Sequence, residues 1–296
     1  MKYVVFDIGG SSIKYALMNE KGVFLDKGKT PVPKDSLNHL FDILEEVYHQ
    51  YQGVAGIGIS LPGVIDPIRG YAYTSGALRY YDETEFVKLL QKRIDLPITI
   101  GNDAKCAANA EIGFGSLKNI DDGAVLVFGT GIGGCLIKDH KVITGKHFSA
   151  GEVSSIITDY HYGTDFNYAW ASRNGIKGLL NRVQEALNTK ENYSGEKIFE
   201  MANQGDKKVL AALREFTFEI SVQLMNINTW FDCEKIAIGG GISVQPLFIQ
   251  LINETFDEIF EAYKKAYYPC AHPEIVLCTY GNDANLIGAL YQHLTR

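Results

Sequence analysis

Residues 97–116 read PITIGNDAKCAANAEIGFGS. Ile98 and Ile100 belong to a short apolar strand that ends at Gly101, and Ala104, Ala107, Ala108 and Ile112 repeat at helical spacing directly after it. Asn102 and Asp103 stand at the joint. The carboxyl end of a strand beside a helix N-terminus is where open α/β sheets bind ligands. Either residue also serves simply as a helix cap, the commonest job of Asn and Asp in that place. Asp103 is the first candidate for chemistry because glycine loops flank the stretch on both sides.

Toward the N-terminus, the β-rich run 3–6 breaks at Asp7-Ile8-Gly9-Gly10-Ser11-Ser12. Residues 13–18 and 23–25, joined by the turn Asn19-Glu20-Lys21-Gly22, read as consecutive antiparallel strands. Residues 36–51 carry Leu37, Leu40, Phe41, Leu44, Val47 and Tyr48 at helical spacing, with Asp35 or Ser36 as cap. A buried strand over 54–61 ends in Pro62-Gly63, and a helix over 83–94 leads into the strand before Asn102.

Toward the C-terminus the opening pattern returns. The strand 124–128 precedes Gly129-Thr130-Gly131-Ile132-Gly133-Gly134, then come the strand 135–137, the turn Lys138-Asp139-His140 and the strand Val142-Ile143. Strand, glycine loop and hairpin occur twice, which predicts two related α/β domains with their boundary inside 113–122. The predicted division is 1–115 for the N-terminal domain and 116–281 for a larger C-terminal one. Helices are predicted over 166–187, 194–203, 206–231, 244–265 and 282–293, with a strand over 235–238 running into Gly239-Gly240-Gly241.

The totals set the outer bounds. With 296 residues, 46% hydrophobic and 21% charged, the chain has the make-up of a soluble globular protein. A net charge of −7 supplies no general attraction for nucleic acid or an anionic membrane. No run approaches the roughly 18 apolar residues of a membrane span, and the N-terminus lacks the apolar length of a signal peptide, so the expected address is cytoplasmic. Cys106, Cys135, Cys233, Cys270 and Cys278 form no CxxC pair and read as reduced, mostly buried thiols.

Three loops, DIGGSS, FGTGIGG and IGGGIS, each follow a short apolar strand. Glycine lets backbone approach a ligand and lets successive N–H groups turn toward an anion, so such loops suit phosphates. Gly9, Gly10, Gly129, Thr130, Gly131, Gly133, Gly134, Gly239, Gly240 and Gly241 are therefore candidate nucleotide contacts. Phosphoryl transfer asks the protein mainly for positioning, charge neutralisation and a base for the attacking hydroxyl. Asp7 can hold Mg²⁺ directly or through water, Asp103 can take the proton, and Ser12 and Thr130 can donate to phosphate oxygens. Lys14 is placed to help, or is an exposed charge on an alternating strand. Residues 129–134 also satisfy GxGxxG, with Glu152 at a distance suited to a ribose contact, the competing dinucleotide-oxidoreductase reading. That fingerprint should open a helix, whereas residues 135–143 read as a hairpin.

Taken together, DIGGSSIKYAL, GIGISLPGVID at 56–66, GNDAKCAANAE at 101–111, VLVFGTGIGGCLI at 125–137, AGEVSS at 150–155 and IAIGGGIS at 236–243 resemble the ROK family of sugar kinases and regulators. The resemblance spans nearly the whole chain. It implies the actin/hexokinase-like (ribonuclease H-like) fold, with two α/β domains around an interdomain cleft and the last helix returning to the first domain. It also implies ATP with Mg²⁺, transfer to a sugar hydroxyl, usually O6, and often a homodimer. By position it puts the catalytic base on Asp103, sugar contacts on Asn102, Glu152, Pro62 and Gly63, and ATP contacts on the three glycine loops. Family repressors carry a helix-turn-helix ahead of the first strand, for which a strand starting at Tyr3 leaves no room. A sugar-sensing regulator without DNA binding is the non-enzymatic alternative, and Asp103 argues against it.

Two departures bear on the acceptor. After AGE the family usually has an apolar residue, a glycine and a zinc-binding histidine that touches the sugar; here Val153-Ser154-Ser155 follow, and residues 156–172 contain no cysteine. Structural zinc is expected to be absent and His161 to be a surface or packing residue. Tyr168 falls near the place of a sugar-binding glutamate, and Ala77 near that of an asparagine. Tyr160, Tyr162, Phe166, Tyr168 and Trp170 add aromatic surface where polar contacts are missing, and an aromatic wall can stack on a sugar or aglycone. The expected acceptor therefore carries a substituent at O1, as in a β-glucoside or a β-linked disaccharide such as cellobiose. The alternative is a free-sugar acceptor, glucose or N-acetylmannosamine, with these aromatics in the core.

Overall fold

Tyr3 to Phe6 are buried because their strand lies in the middle of a sheet covered on both faces. The computed structural model describes residues 1–296 and divides into two compact units. The first unit holds Met1–Lys118, Thr144–Ala150 and Asn282–Arg296; the second holds Asn119–Ile143 and Gly151–Gly281. Thr144–Ala150 thus pack with the N-terminal unit, outside the division expected from sequence. Phe148 explains it in part, since its ring stacks 6.0 Å from that of Tyr73.

In the first unit the elements are β1 (Lys2–Ile8), β2 (Ser12–Asn19), β3 (Phe24–Pro31), α1 (Leu37–Tyr48), β4 (Val54–Leu61), β5 (Ile65–Asp66), β6 (Tyr71–Ala72), α2 (Phe86–Leu90), β7 (Ile98–Asn102) and α3 (Asp103–Phe114). The main sheet has the order β3-β2-β1-β4-β7, with β1 antiparallel to β2 and parallel to β4. Val4, Phe6, Ile8, Ile57 and Ile59 pack with Leu40, Phe41 and Leu44 of α1 in one core.

The second unit contains β8 (Gly123–Phe128), β9 (Ile132–Lys138), β10 (Lys141–Val142), α4 (Trp170–Asn174), α5 (Ile176–Leu187), α6 (Gly195–Asn203), α7 (Lys207–Phe231), β11 (Lys235–Gly239), α8 (Pro246–Lys265) and β12 (Glu274–Leu277). Its sheet order, β10-β9-β8-β11-β12, repeats that of the first unit strand for strand, including the antiparallel β8–β9 pair and the parallel β8–β11 pair. The duplication expected from the glycine loops is present. Leu126 and Phe128 pack with Phe216 and Ile220 of α7 and Phe248 of α8. The chain ends with α9 (Ala284–Leu294), which belongs to the first unit and packs on α3 and β4.

The elements differ from the expectation in several places, the short β5–β6 pair among them. The helix over 83–94 shrinks to α2, with isolated turns after Leu90 and the Gln91 side chain donating to the Leu96 carbonyl (3.1 Å). The helix over 166–187 is interrupted at Gly175, whose backbone is extended and so close to the Thr130 carbonyl that a Cβ would come within 2.6 Å of it. Strand β12 was not expected at all. No helix is long and apolar enough to cross a membrane.

Candidate functional site

Asn102 is the N-cap of α3: its Oδ1 accepts from the Lys105 backbone N–H (3.1 Å). Its Nδ2 donates to the Gly63 carbonyl (2.9 Å) and to Asp103 Oδ1 (3.0 Å). Asp103 Oδ1 also accepts from the Ala104 N–H (2.8 Å). One amide thus ties the cap, the Pro62-Gly63 turn and the candidate base together. Asn102 is buried, while Asp103 is half-buried at the first position of the helix, where the dipole favours a carboxylate.

The Pro62-Gly63 turn is itself fixed. Gly63 has φ +102°, and a Cβ there would lie 2.1 Å from the Thr74 carbonyl oxygen, so only glycine fits. Tyr81, fully buried, donates to the Pro62 carbonyl (3.4 Å). Burial above all, then Tyr80 and Asp103 nearby, holds the Tyr81 phenol well above its ordinary pKa. It is neutral. Ala77 is exposed on the loop beyond this turn.

Asp7 is buried near the end of β1. Its Oδ1 accepts from Ser60 Oγ (3.3 Å) and Asn285 Nδ2 (3.0 Å), and its Oδ2 from Lys14 Nζ (3.3 Å). Lys14 also donates to the Asn282 carbonyl (3.1 Å), so it is an ion-pair partner rather than a solvated charge. Strand register explains the cluster, since Asp7 is the cross-strand partner of both Lys14 and Ser60. Ser60 and Asn285 were missed in the sequence. A serine in the otherwise apolar run of β4 was the available signal. With its carboxylate so engaged, Asp7 can meet a magnesium ion through water molecules rather than directly.

The glycine loops divide by what surrounds them. A Cβ at Gly10, Gly129 or Gly241 would meet nothing within 4 Å, and at Gly131 or Gly9 nothing closer than 3.7 and 3.4 Å respectively. These backbones border open space, as a phosphate cradle requires. Ser12 starts β2 and is half-buried beside Gly9 and Gly10, whereas Thr130 is exposed at the loop tip. Gly133 and Gly134 are not in the loop; they lie inside β9. Gly134 is small for packing, because a Cβ would sit 2.6 Å from the Gly151 carbonyl oxygen and the Val153 side chain. Gly239 ends β11 under Cys278 Sγ, at 2.9 Å from its would-be Cβ. Gly240, at φ +95°, lies against the Phe128 backbone. The GxGxxG stretch opens a strand and not a helix, which removes the structural context that dinucleotide binding needs.

Beside Thr130 in the second unit is a cavity of about 750 Å³. Its lining includes Arg173, Lys177, Asn181, Arg182 and Lys208, none of which the sequence singled out. Arg182 is nearly buried and paired with Glu215 (3.0 Å) and Glu219 (2.7 Å). Glu152 is exposed and precedes the single turn Val153–Ser155 without a side-chain cap bond to it, and Ser154 Oγ donates to the Ile132 carbonyl (2.7 Å). His161 is exposed and paired with Asp159 (3.2 Å). No group of three His, Cys, Asp or Glu side chains is arranged to hold a metal ion. Of the aromatic residues, Trp170 is entirely buried and edge-on to Phe128, so it belongs to the core and not to an aromatic wall.

Comparison with known proteins gives a consistent set of likenesses. The model of the ROK family matches residues 3–295. A β-glucoside kinase of Klebsiella pneumoniae is 30% identical over 293 residues, covering 98% of this chain and 95% of that protein. A β-glucoside kinase of Listeria innocua is 29% identical, covering 99% and 98%. The crystal structure of a ROK family protein from Streptococcus pneumoniae in complex with sucrose superposes with a TM-score of 0.87 at 28% identity, covering 100% and 98%.

Proposed function

The chain belongs to the ROK family and is a sugar kinase, and from that premise we propose that it transfers the γ-phosphoryl group of ATP to O6 of a β-glucoside or a β-linked disaccharide. The observation that carries the reading is the knot at Asn102, which holds the half-buried carboxylate of Asp103 at a helix start next to the Pro62-Gly63 turn. A carboxylate so held keeps one orientation and can take a hydroxyl proton as the oxygen attacks. Bound Mg²⁺-ATP supplies the phosphoryl group: a bond forms from O6 to the γ-phosphorus, the bond to the β,γ-bridging oxygen breaks, and ADP leaves.

In this reading the open backbones at Gly10, Gly129, Gly131 and Gly241 receive the phosphates, with Ser12 and Thr130 as donors. Asp7 anchors the ion through water, its two oxygens being already engaged by Ser60, Asn285 and Lys14. The cavity beside Thr130 has the volume for a nucleoside. Asn102, Glu152, Pro62 and Gly63 contact the sugar. Val153-Ser154-Ser155 in place of an imidazole leaves fewer polar groups for a free anomeric hydroxyl. The β-glucoside kinases of Klebsiella and Listeria support the choice of acceptor.

The test is ADP release on cellobiose, an aryl β-glucoside, glucose and N-acetylmannosamine, with a blank lacking sugar. Higher kcat/KM on the two β-glucosides is the expected result. Preference for a free monosaccharide would overturn the acceptor and keep the reaction, and no turnover on any sugar would overturn both.

A further inference from the structure

The segment Thr30-Pro31-Val32-Pro33-Lys34 leads from the end of β3 toward α1 and brings a cation to the first glycine loop. Each proline fixes its own φ and holds the residue before it extended, so the segment is stiff before any tertiary contact forms. Val32 and Pro33 are buried, Val32 in the core of the first unit. The Val32 N–H donates to the Ser11 carbonyl (3.3 Å), and the Pro33 carbonyl accepts from the Tyr80 hydroxyl (3.0 Å). Lys34 is exposed, and its Nζ donates to the Gly10 carbonyl. An anchored backbone thus sets an ammonium on the loop Asp7–Ser12.

The charges around that loop are unequally engaged. Lys14 is paired with Asp7 (3.3 Å). The partner of Lys34 is a neutral carbonyl, which takes one of the three N–H donors of an ammonium. The adjacent Asp35 pairs with His39 (2.9 Å) instead. A Cβ at Gly10 would meet nothing within 4 Å, so the backbone that holds Lys34 borders open space. Lys34 therefore keeps its charge and its other N–H groups for an anion on the loop.

Strand register puts this loop near Asp103. Asp7 is level with Ser60 across the parallel pair β1–β4, and Ser60 with Gly101 across the parallel pair β4–β7. Neighbouring strands lie about 4.8 Å apart, so the loop after Asp7 and the Asn102-Asp103 joint leave one sheet edge roughly 10 Å apart. Adjacent residues hold both sides: Tyr80 bonds Pro33, and Tyr81 bonds Pro62 of the turn that Asn102 ties to Asp103. The phosphoryl group in transfer must come within bonding distance of a hydroxyl at Asp103. Of the three phosphates of ATP, the terminal one is the one that this loop meets.

We propose that Lys34 is a catalytic cation of the phosphoryl transfer: its ammonium, steadied by the Gly10 carbonyl, bonds the γ-phosphate of ATP and neutralises charge on its oxygens as the bond to the β,γ-bridging oxygen breaks. No proton moves at Lys34. The inference rests on the reading of the chain as an ATP-dependent kinase and holds whichever sugar accepts the phosphoryl group.

The experiment measures the binding of Mg²⁺-ADP and of the Mg²⁺ complex of a non-hydrolysable ATP analogue by titration calorimetry, without sugar, in the wild type, Lys34→Gln and Lys34→Arg. Glutamine keeps an N–H donor for the Gly10 carbonyl and loses the charge. Lys34→Gln is expected to weaken the analogue about tenfold or more, the scale of a hydrogen bond to a charged group, and to leave ADP within about twofold. Lys34→Arg should retain most of the affinity for the analogue. Equal weakening of both nucleotides in Lys34→Gln would make Lys34 a brace of the loop, and weakening of neither would make it a surface charge; both overturn the catalytic role while leaving the kinase reading intact. A wild type that binds neither nucleotide overturns the kinase reading and this inference with it. The side chain is exposed, and circular dichroism of the variants checks that the fold is kept.

Discussion

Gly288 of α9 lies so close to α3 that a Cβ at 288 would stand 1.6 Å from the carbonyl oxygen of Cys106. On the other side of α9, Gly58 of β4 is pressed to the Ala289 carbonyl, 2.5 Å from its own would-be Cβ. The last helix of the chain is thus seated between β4 and the helix that carries Asp103 at its start.

Replacing Gly288 with alanine must separate α9 from α3, because the obstacle is backbone and not the end of a flexible side chain. Overpacking of this kind costs about 1–3 kcal/mol. Gly288→Ala is expected to melt several degrees below the wild type and to lose more turnover than nucleotide affinity, since α3 sets the position of Asp103. A variant with the wild-type melting temperature would show that α9 is not held this closely.

Asp103→Asn separates the carboxylate's chemistry from its structural part. Asparagine retains an Oδ1 that can accept from the Ala104 N–H, so the start of α3 should persist. It cannot take the hydroxyl proton. Loss of a general base costs about 10²–10⁴ in rate, so kcat should fall by that order while KM for the sugar changes little. Unimpaired turnover in a coupled ADP-release assay would remove Asp103 from the role.

Much of this architecture was legible because strand, glycine loop and hairpin are local patterns written twice, and the two sheets repeat each other in order and direction. What was hidden depends on contacts across the chain. Strand β12 is only four residues long and shows itself by pairing with β11. Trp170 reads like its aromatic neighbours, yet it is buried on Phe128 while Tyr162 is not, a difference that period and composition do not encode. At the site, Asn102 and Asp103 stood out by their place at a joint. Ser60 and Asn285 meet Asp7 only through strand register and the return of α9, and Arg173 and Lys208 meet at a cavity from helices far apart in sequence.

The return of α9 also has a consequence for acid stability. His293 is only 3% exposed, shares a hydrogen bond with Thr99 Oγ1 (3.0 Å) and meets Tyr3 edge-on at 5.5 Å. Burial first, and then the nearby charge of Arg296, lower its pKa from 6.5 to about 4, against a backbone hydrogen bond involving Ile57 that favours the charged form. The native protein therefore keeps this imidazole neutral at pH values where the unfolded chain protonates it. Between pH 6.5 and 4 the unfolded state binds more protons, so its population gains as pH falls and stability declines with it. Above pH 6.5 both states are neutral at this group and the contribution is complete. Across the whole window the loss is about 3 kcal/mol, at 1.36 kcal/mol for each pH unit. Urea unfolding at a series of pH values should show stability rising from pH 4.5 to 6.5 with a slope approaching one proton more than in His293→Asn, which lacks the titrating ring. Equal slopes in the two proteins would mean that His293 protonates in the folded state as readily as in the unfolded one, and that the C-terminal turn of α9 opens to water at mildly acidic pH.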